Sequence, residues 1–295
     1  MSVEGFPRGI DDGEVFEENE AYKKIETSKR LMLALDSIRI NFSKMELRGV
    51  EHLGEIPQGS RIVIAVDHLN NLSIPTAALM LGKELPIIIS NQSTQFSFHE
   101  NPQGHIGVAL GGKDNFAGID YDPESEKPKA FNPENFDAML APLNEGYAVI
   151  VAAHNPVNTD KLPERGGYGA AYLAGIADAY IVPVSVNIKS KHDIHTSESK
   201  NNFLKNIKAS LDVIKDRPEV EVTIGTPHKV SETKDIVRFH ELFIKRKEGM
   251  KLSSEEVTEF HQLRGSLDGA SDEIMKELSA MLPKKKKQQQ DLSLP

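Results

Sequence analysis

The sequence predicts a single α/β domain with a largely parallel central sheet flanked by helices, an N-terminal helix before it and a helical segment after it. Short runs of β-branched and apolar residues alternate with helix-like segments through the middle of the chain, and this alternation favours parallel strands joined by helical crossovers. The last third has the apolar spacing of helices. A length of 295 residues suits one large domain with appendages.

The elements follow from this pattern in order. Strands are predicted at 61–66, 85–90, 147–153, 180–188 and 220–227. Helices are predicted at 27–42, 76–83, 136–146, 166–177, 203–216, 233–249, 253–265 and 271–282. Ser73 is interpreted as the N-cap of the second helix, and Ser253 with Glu256 forms a capping-box pattern. Residues 97–135, rich in Gly, Asn, Asp and Pro, are interpreted as a long, mostly irregular loop.

Composition divides the chain into three parts. Residues 1–22 form an acidic leader that we expect to be disordered, and residues 284–295 form a Lys/Gln-rich flexible tail. Residues 23–283 form the α/β domain, including the C-terminal helices. The leader is acidic and lacks an apolar centre, so we expect no signal peptide. No run approaches the roughly 18 apolar residues that a membrane span needs. We therefore expect a cytoplasmic protein, with peripheral membrane contact as the alternative.

Charge and cysteine content exclude several classes of function. The net charge of −9 counts against nucleic-acid binding, because a nucleic-acid binder needs a cationic face for the phosphates. The absence of cysteine excludes disulfides, thiol nucleophiles and cysteine-ligated zinc. His192, Asp193 and His195 are metal-ligand types, but their spacing matches no helical pair. Surface histidines are the favoured interpretation there, and we expect no metal site.

Glycines at 166–169 raise a third class of function, a nucleotide-dependent enzyme. Gly167 and Gly169 stand at a predicted helix start, where backbone N–H groups can hold a phosphate. However, the glycines do not directly follow their strand, and the third glycine of the dinucleotide fingerprint is absent. Close packing of this helix against the sheet is the better explanation. The loop at 111–114 is likewise assigned no function.

His68 stands at the exit of the strand at 61–66, and its surroundings resemble a known family. Ligands gather at the carboxyl ends of parallel strands, so a histidine is well placed there. The run LRGVEHLGEIPQGSRIVIAVDHLNNLSIPTAALML resembles the first conserved block of the glycerolipid acyltransferases, the lysophosphatidic acid acyltransferase family. That block has a Gly-Glu-Ile-Pro lead-in, a strand, then Asn-His-x-Ser-x-x-Asp.

Two later stretches carry the same resemblance. LNEGYAVIVAAHNPVNTDKLPERGGYGAAYLAGIADAYIVPVSVNI is similar to the third and fourth blocks of the family, in which a strand leads to Pro-Glu-Gly-Thr-Arg-Ser, a Gly-Ala-Ala helix and a strand with Val-Pro-Val. VTIGTP resembles the Gly-x-Pro after the last strand. Together the matches span residues 45–283, and their order and spacing are more specific than any one of them.

The resemblance implies a glycerol-phosphate acyltransferase-like fold and a reaction. His68 would be the general base that takes a proton from a glycerol-phosphate or lysophospholipid hydroxyl. The hydroxyl would attack the thioester of acyl-CoA or acyl-carrier protein, which serves as co-substrate, with no further cofactor. The expected partners are therefore an acyl donor thioester and a lysolipid. Ser73 or Asp67 would orient the imidazole. The expected substrate-binding residues are Asn70, His154, Asn155 and, as the anion contact, Arg165.

The sequence departs from the family at several charged positions. Ser73 replaces the aspartate that orients the histidine, Ala153 replaces the glutamate, His154 replaces glycine, and Pro156 replaces the phosphate-binding arginine. In a serine-protease triad, neutralising the orienting carboxylate lowers the rate roughly ten-thousandfold. The alternative hypothesis is therefore a catalytically inactive relative that binds a lipid, an acyl chain or a protein partner.

Overall fold

The computed structural model describes residues 42–69, 72–82, 84–91, 116–118, 137–154, 161–190, 212 and 215–283. The predicted leader and tail lie outside these residues, as do the predicted N-terminal helix except Phe42 and most of the helix predicted at 203–216. The histidines of 192–195 and the loop at 111–114 also lie outside them.

The strands are β1 (Lys44–Arg48), β2 (Ile62–Val66), β3 (Ile87–Asn91), β4 (Phe116–Gly118), β5 (Ala148–Ala152), β6 (Tyr180–Lys189), β7 (Glu219–Ile224) and β8 (His228–Lys229). The helices are α1 (Ser73–Leu81), α2 (Asp137–Asn144), α3 (Gly169–Ala177), α4 (Thr233–Lys247) and α5 (Ser254–Met281), and a 3₁₀ helix spans Val50–Glu55. All five predicted strands are present. The short strands β1, β4 and β8 were not predicted.

The strands form one mostly parallel sheet in the order β1-β7-β6-β2-β5-β3-β4, with β8 also paired to β6. Strands β6, β2, β5, β3 and β4 pair in parallel, and so do β1 and β7. The predicted fold class is therefore confirmed in its coarse form, a single α/β sheet flanked by helices. The prediction missed that β7 and β8 pair antiparallel to β6.

Helices cover both faces of the sheet because the central strands are buried on both sides. In β2, Val63 and Ala65 belong to a core that includes side chains from α2, α3, α4 and α5. The alternate residues Ile62, Ile64 and Val66 belong to a second core with α1. Full burial explains why β2 is a continuous apolar run rather than an alternating one.

Pro183 lies inside β6 at a position where its missing N–H does not interrupt a ladder. Its carbonyl accepts a hydrogen bond from the N–H of Gly225 at 2.8 Å, so the backbone of this residue faces the side of β7 and β8. On that side β8 pairs with residues 180–181 of β6 and β7 pairs with residues 184–189. Pro183 falls between the two, where no N–H is needed.

Two helix predictions need correction. The segments at 253–265 and 271–282 are one continuous helix of 28 residues, α5, which is about 42 Å long. Gly265 and Gly269 lie inside this helix, and neither marks an end. The predicted capping box of α5 is confirmed, because Ser253 and Glu256 exchange the two expected hydrogen bonds.

Across the described ranges, no helix combines the length and apolar character needed to cross a membrane.

Candidate functional site

The candidate site lies where the neighbouring parallel strands β2 and β5 end, beside β6, which continues past this point. Strand β2 lies between β5 and β6, and Val66 at its end pairs with Ala152 on one side and Val184 on the other. The carboxyl ends of parallel strands meet at one edge of a sheet, which is the usual place for ligands in α/β proteins. Asp67 and His68 leave β2 at this edge.

Asp67 is fully buried and is bound to β6. Its carboxylate Oδ2 accepts hydrogen bonds from the Ser185 hydroxyl at 2.7 Å and from the Val186 N–H at 3.0 Å. Its own N–H donates to the carbonyl of Val184 at 3.1 Å. These contacts direct Oδ2 to the neighbouring strand, and no hydrogen bond joins Asp67 to the His68 ring.

His154 contacts the same turn from the other side. It follows β5, it is 2% exposed, and its Nε2 accepts a hydrogen bond from the backbone N–H of His68 at 3.0 Å. An imidazole nitrogen that accepts a hydrogen bond carries no proton. The bond therefore requires a neutral His154 whose proton is on Nδ1.

His68 has a perturbed imidazole. The residue is partly buried, and its Nδ1 is shielded from solvent with no hydrogen-bond partner. Burial, with a smaller contribution from the nearby His154, lowers the pKa of His68 to about 4. Loss of hydration disfavours the imidazolium, so the ring is neutral at pH 7.

Ser73 follows His68 by five residues in sequence, and its hydroxyl is not bonded to the His68 ring. It is fully buried, and its Oγ has no hydrogen-bond partner. The prediction that Ser73 is an N-cap is wrong: it is the first residue of α1, whose N-cap is Leu72, and no side chain caps this helix end. The chain turns into the helix one residue earlier than the capping pattern indicated. Buried polar atoms are nearly always paired, which makes Ser73 and His68 unusual.

Of the remaining predicted site residues, Arg165 alone lies within the described ranges. Arg165 is exposed in the segment that leads into α3. Asn70 and Asn155 lie outside the residues that the structure describes. Among the residues described, no group of three or more His, Cys, Asp or Glu side chains could hold a metal ion.

Gly166, just before α3, packs closely against α5. A Cβ on Gly166 would lie 2.5 Å from Ser271 Oγ and 2.8 Å from Met275 Cγ, both on α5. The Gly167 N–H donates to the carbonyl of Ala153 at 2.7 Å, and the Ser271 hydroxyl donates to the carbonyl of Gly167 at 3.2 Å. This segment is thereby held against both α5 and the end of β5, adjacent to His154.

Sequence reasoning missed Ser185 and Val186, the two β6 residues that bind Asp67. The only available signal was the serine in the otherwise apolar run YIVPVSV, since a buried polar side chain needs a partner. Nothing in the sequence identified that partner.

Comparison with known proteins does not assign this chain to a family. No family model matches the chain, and no curated protein matches it in sequence. Among solved structures, the 1-acyl-sn-glycerophosphate (LPA) acyltransferase PlsC from Thermotoga maritima is similar over 88% of this chain and 84% of that chain, with 13% identity and a TM-score of 0.45. A likeness at that level supports no conclusion about the fold or chemistry of this chain.

Proposed function

We propose that this protein transfers a fatty acyl group from an acyl-CoA or acyl-carrier protein thioester to a hydroxyl of a glycerol-phosphate or lysophospholipid, with His68 as general base. The observation that carries the proposal is a neutral imidazole at the carboxyl edge of β2, in the sequence context of the acyltransferase histidine. Because Nδ1 of His68 is buried, we assign Nε2 as the nitrogen that acts.

In the proposed reaction, Nε2 of His68 takes up one proton from the acceptor hydroxyl and later gives it to the leaving thiolate. Nε2 takes the proton from the attacking hydroxyl while the hydroxyl oxygen bonds to the thioester carbonyl carbon. The tetrahedral intermediate then collapses with loss of the C–S bond. The leaving thiolate takes the proton from the imidazolium, which restores the neutral base.

The surroundings of His68 favour slow turnover. A base with a pKa of about 4 is weakly basic, and the imidazolium formed in the reaction has no carboxylate bonded to it. Ser73 carries no charge, and Oδ2 of Asp67 is bound to Ser185 and Val186 instead. By analogy with a triad that lacks its carboxylate, the rate would be lower by up to about ten-thousandfold than in a fully charged site.

The same observations support a second candidate, a catalytically inactive relative that binds a lysolipid or acyl chain. In this case the retained α/β scaffold and the buried polar turn would serve binding. Lipid or acyl-CoA that stays with the protein through purification would favour this candidate.

Transfer of a labelled acyl group from acyl-CoA to lysophosphatidic acid tests the proposal. Wild type is compared with His68→Ala and with His261→Ala, a matched control because His261 is an exposed histidine on α5. We expect transfer by wild type and by the control, and none above background by His68→Ala. Equal transfer by His68→Ala would refute the role of His68, and absence of transfer in all three would favour the binding candidate.

A further inference from the structure

The turn that carries His68 is held from both neighbouring strands by buried polar side chains. On the β5 side, His154 Nε2 accepts a hydrogen bond from the backbone N–H of His68 at 3.0 Å. On the β6 side, Asp67 Oδ2 accepts hydrogen bonds from the Ser185 hydroxyl at 2.7 Å and from the Val186 N–H at 3.0 Å. Asp67, His154 and Ser185 are at most 3% exposed.

These bonds fix the backbone of His68 rather than its ring. The ring forms no hydrogen bond at Nδ1, so its direction depends on where the backbone places its Cα and Cβ. Two anchors on consecutive residues, one to each flanking strand, leave that segment of backbone little freedom. Positioning of this kind contributes strongly to catalysis, since small displacements of a reacting group lower rates sharply.

We propose that His154 and Asp67 are positioning residues, which hold the His68 turn between β5 and β6 through its backbone rather than through the His68 ring. Neither residue touches the reacting atoms. His154 therefore acts as a neutral acceptor toward the backbone rather than as a substrate-binding group, and Asp67 acts through β6 rather than on the imidazole. The catalytic consequence rests on the proposed role of His68, whereas the backbone restraint does not.

The test for His154 uses the full chain, labelled with ¹⁵N, and two variants. His154→Gln retains a side-chain acceptor near the position of Nε2, and His154→Leu removes it. NMR reports the ring tautomer of His154 in wild type and the hydrogen-exchange rate of the His68 amide, relative to core amides of α3. We expect the Nδ1–H tautomer in wild type, His68 amide exchange about tenfold faster in the Leu variant, and a rate near wild type in the Gln variant.

The Asp67 arm uses Asp67→Asn, which keeps an oxygen acceptor, and Asp67→Ala, which does not. We expect the Val186 amide to exchange about tenfold faster in the Ala variant and at nearly the wild-type rate in the Asn variant. If acyl transfer is measurable, the Leu and Ala variants lower kcat while KM changes little, and the Gln and Asn variants recover kcat.

The outcomes separate the two proposals. An Nε2–H tautomer of His154 in wild type, or unchanged exchange of the His68 amide in the Leu variant, would overturn the positioning role. Absence of transfer by wild type would count against the proposed function only, because tautomer and exchange are measured without substrate. If the Leu or Ala variant does not fold, the wild-type tautomer and the folded Gln variant still decide the role of His154, and the Asn variant decides that of Asp67.

Discussion

At the residue scale, the unusual feature is a partly buried histidine whose ring Nδ1 has no hydrogen-bond partner. Burial, not a charged partner, sets the protonation state of His68. Its N–H and the carboxylate of the preceding residue are both used to attach the backbone to the sheet. These bonds restrain the backbone of the turn, and the burial of the ring has measurable consequences for its protonation.

The lowered pKa of His68 makes stability depend on pH. The unfolded chain has a histidine pKa near 6.5 and the folded chain one of about 4. Between these values the unfolded state binds more protons, so acidification lowers the free energy of unfolding. From pH 7 to pH 4.5 we expect wild type to lose about 2 kcal/mol more than His68→Gln does.

Urea unfolding at both pH values, at one ionic strength, measures this difference. The His68→Gln variant serves as the reference because all other titrating groups are shared. Equal losses of unfolding free energy in the two proteins would show that folding does not shift the pKa of His68.

Ser73→Asp introduces the carboxylate that stands at this position in the family that the sequence resembles. We expect the pKa of His68 to rise by about one pH unit or more, because a nearby carboxylate stabilises the imidazolium. We also expect faster acyl transfer. The negative charge is further favoured in the first turn of α1 by the helix dipole.

An NMR titration of the His68 ring measures the change, with Ser73→Asn as the neutral control of similar size. If the pKa of His68 in the Asp variant stays near its wild-type value, the side chains at positions 68 and 73 do not interact.

At the scale of the elements, the chain shows where sequence patterns suffice and where they do not. Strands β2, β5 and β6 were predictable because buried parallel strands are continuous apolar runs. Strand β1, with the sequence KMELR, is polar and lies at the edge of the sheet, so it lacks that signature. The prediction divided α5 after Gly265, although an isolated glycine inside a helix is tolerated.

Two glycines in helices have opposite roles, and their substitution distinguishes them. A Cβ on Gly175 of α3 would lie 2.7 Å from Ile236 of α4, whereas a Cβ on Gly265 of α5 would meet nothing within 4 Å. We expect Gly175→Ala to destabilise by about 1 to 3 kcal/mol through overpacking. We expect Gly265→Ala to stabilise by up to about 1 kcal/mol through helix propensity.

Chemical denaturation of the two variants measures both effects, and each variant is the control for the other. A stabilising Gly175→Ala would contradict the close contact between α3 and α4.

At the scale of the whole molecule, β2 joins two cores on opposite faces of one sheet. Leu79 of α1 lies in one core and Leu173 of α3 in the other, and both are at most 1% exposed. Because every residue of β2 contributes to one core or the other, we expect the cores to unfold together. Leu79→Ala and Leu173→Ala should each destabilise by about 2 to 5 kcal/mol.

Hydrogen exchange of peptides from α1 and α3 tests the coupling. Each substitution should lower the protection of both helices, and loss confined to the mutated face would mean that the two cores unfold separately. A conservative Leu173→Met variant, expected to cost less than about 1.5 kcal/mol, controls for disruption of packing.

The direction of β7 and the contacts of the site could not be predicted for one shared reason, which is that both depend on tertiary structure. His68 and His154 are 86 residues apart in sequence, and Asp67 and Ser185 are 118 apart. The resemblance to a family indicated His68 and the position of Ser73. It assigned Asp67 and His154 to the imidazole and the substrate, whereas their observed hydrogen bonds go to the neighbouring strand and to the backbone.

The pH dependence of kcat/KM for labelled acyl transfer to lysophosphatidic acid tests the central claim most directly, since it reports the pKa of an essential base in the free enzyme. Wild type and His68→Ala are measured at pH values where circular dichroism shows folded protein. We expect no transfer by His68→Ala, and a wild-type rate that falls on the acid side with a midpoint at about pH 4. Equal transfer by the two proteins, or a wild-type midpoint near the ordinary histidine pKa, would contradict a buried, neutral His68 as the base.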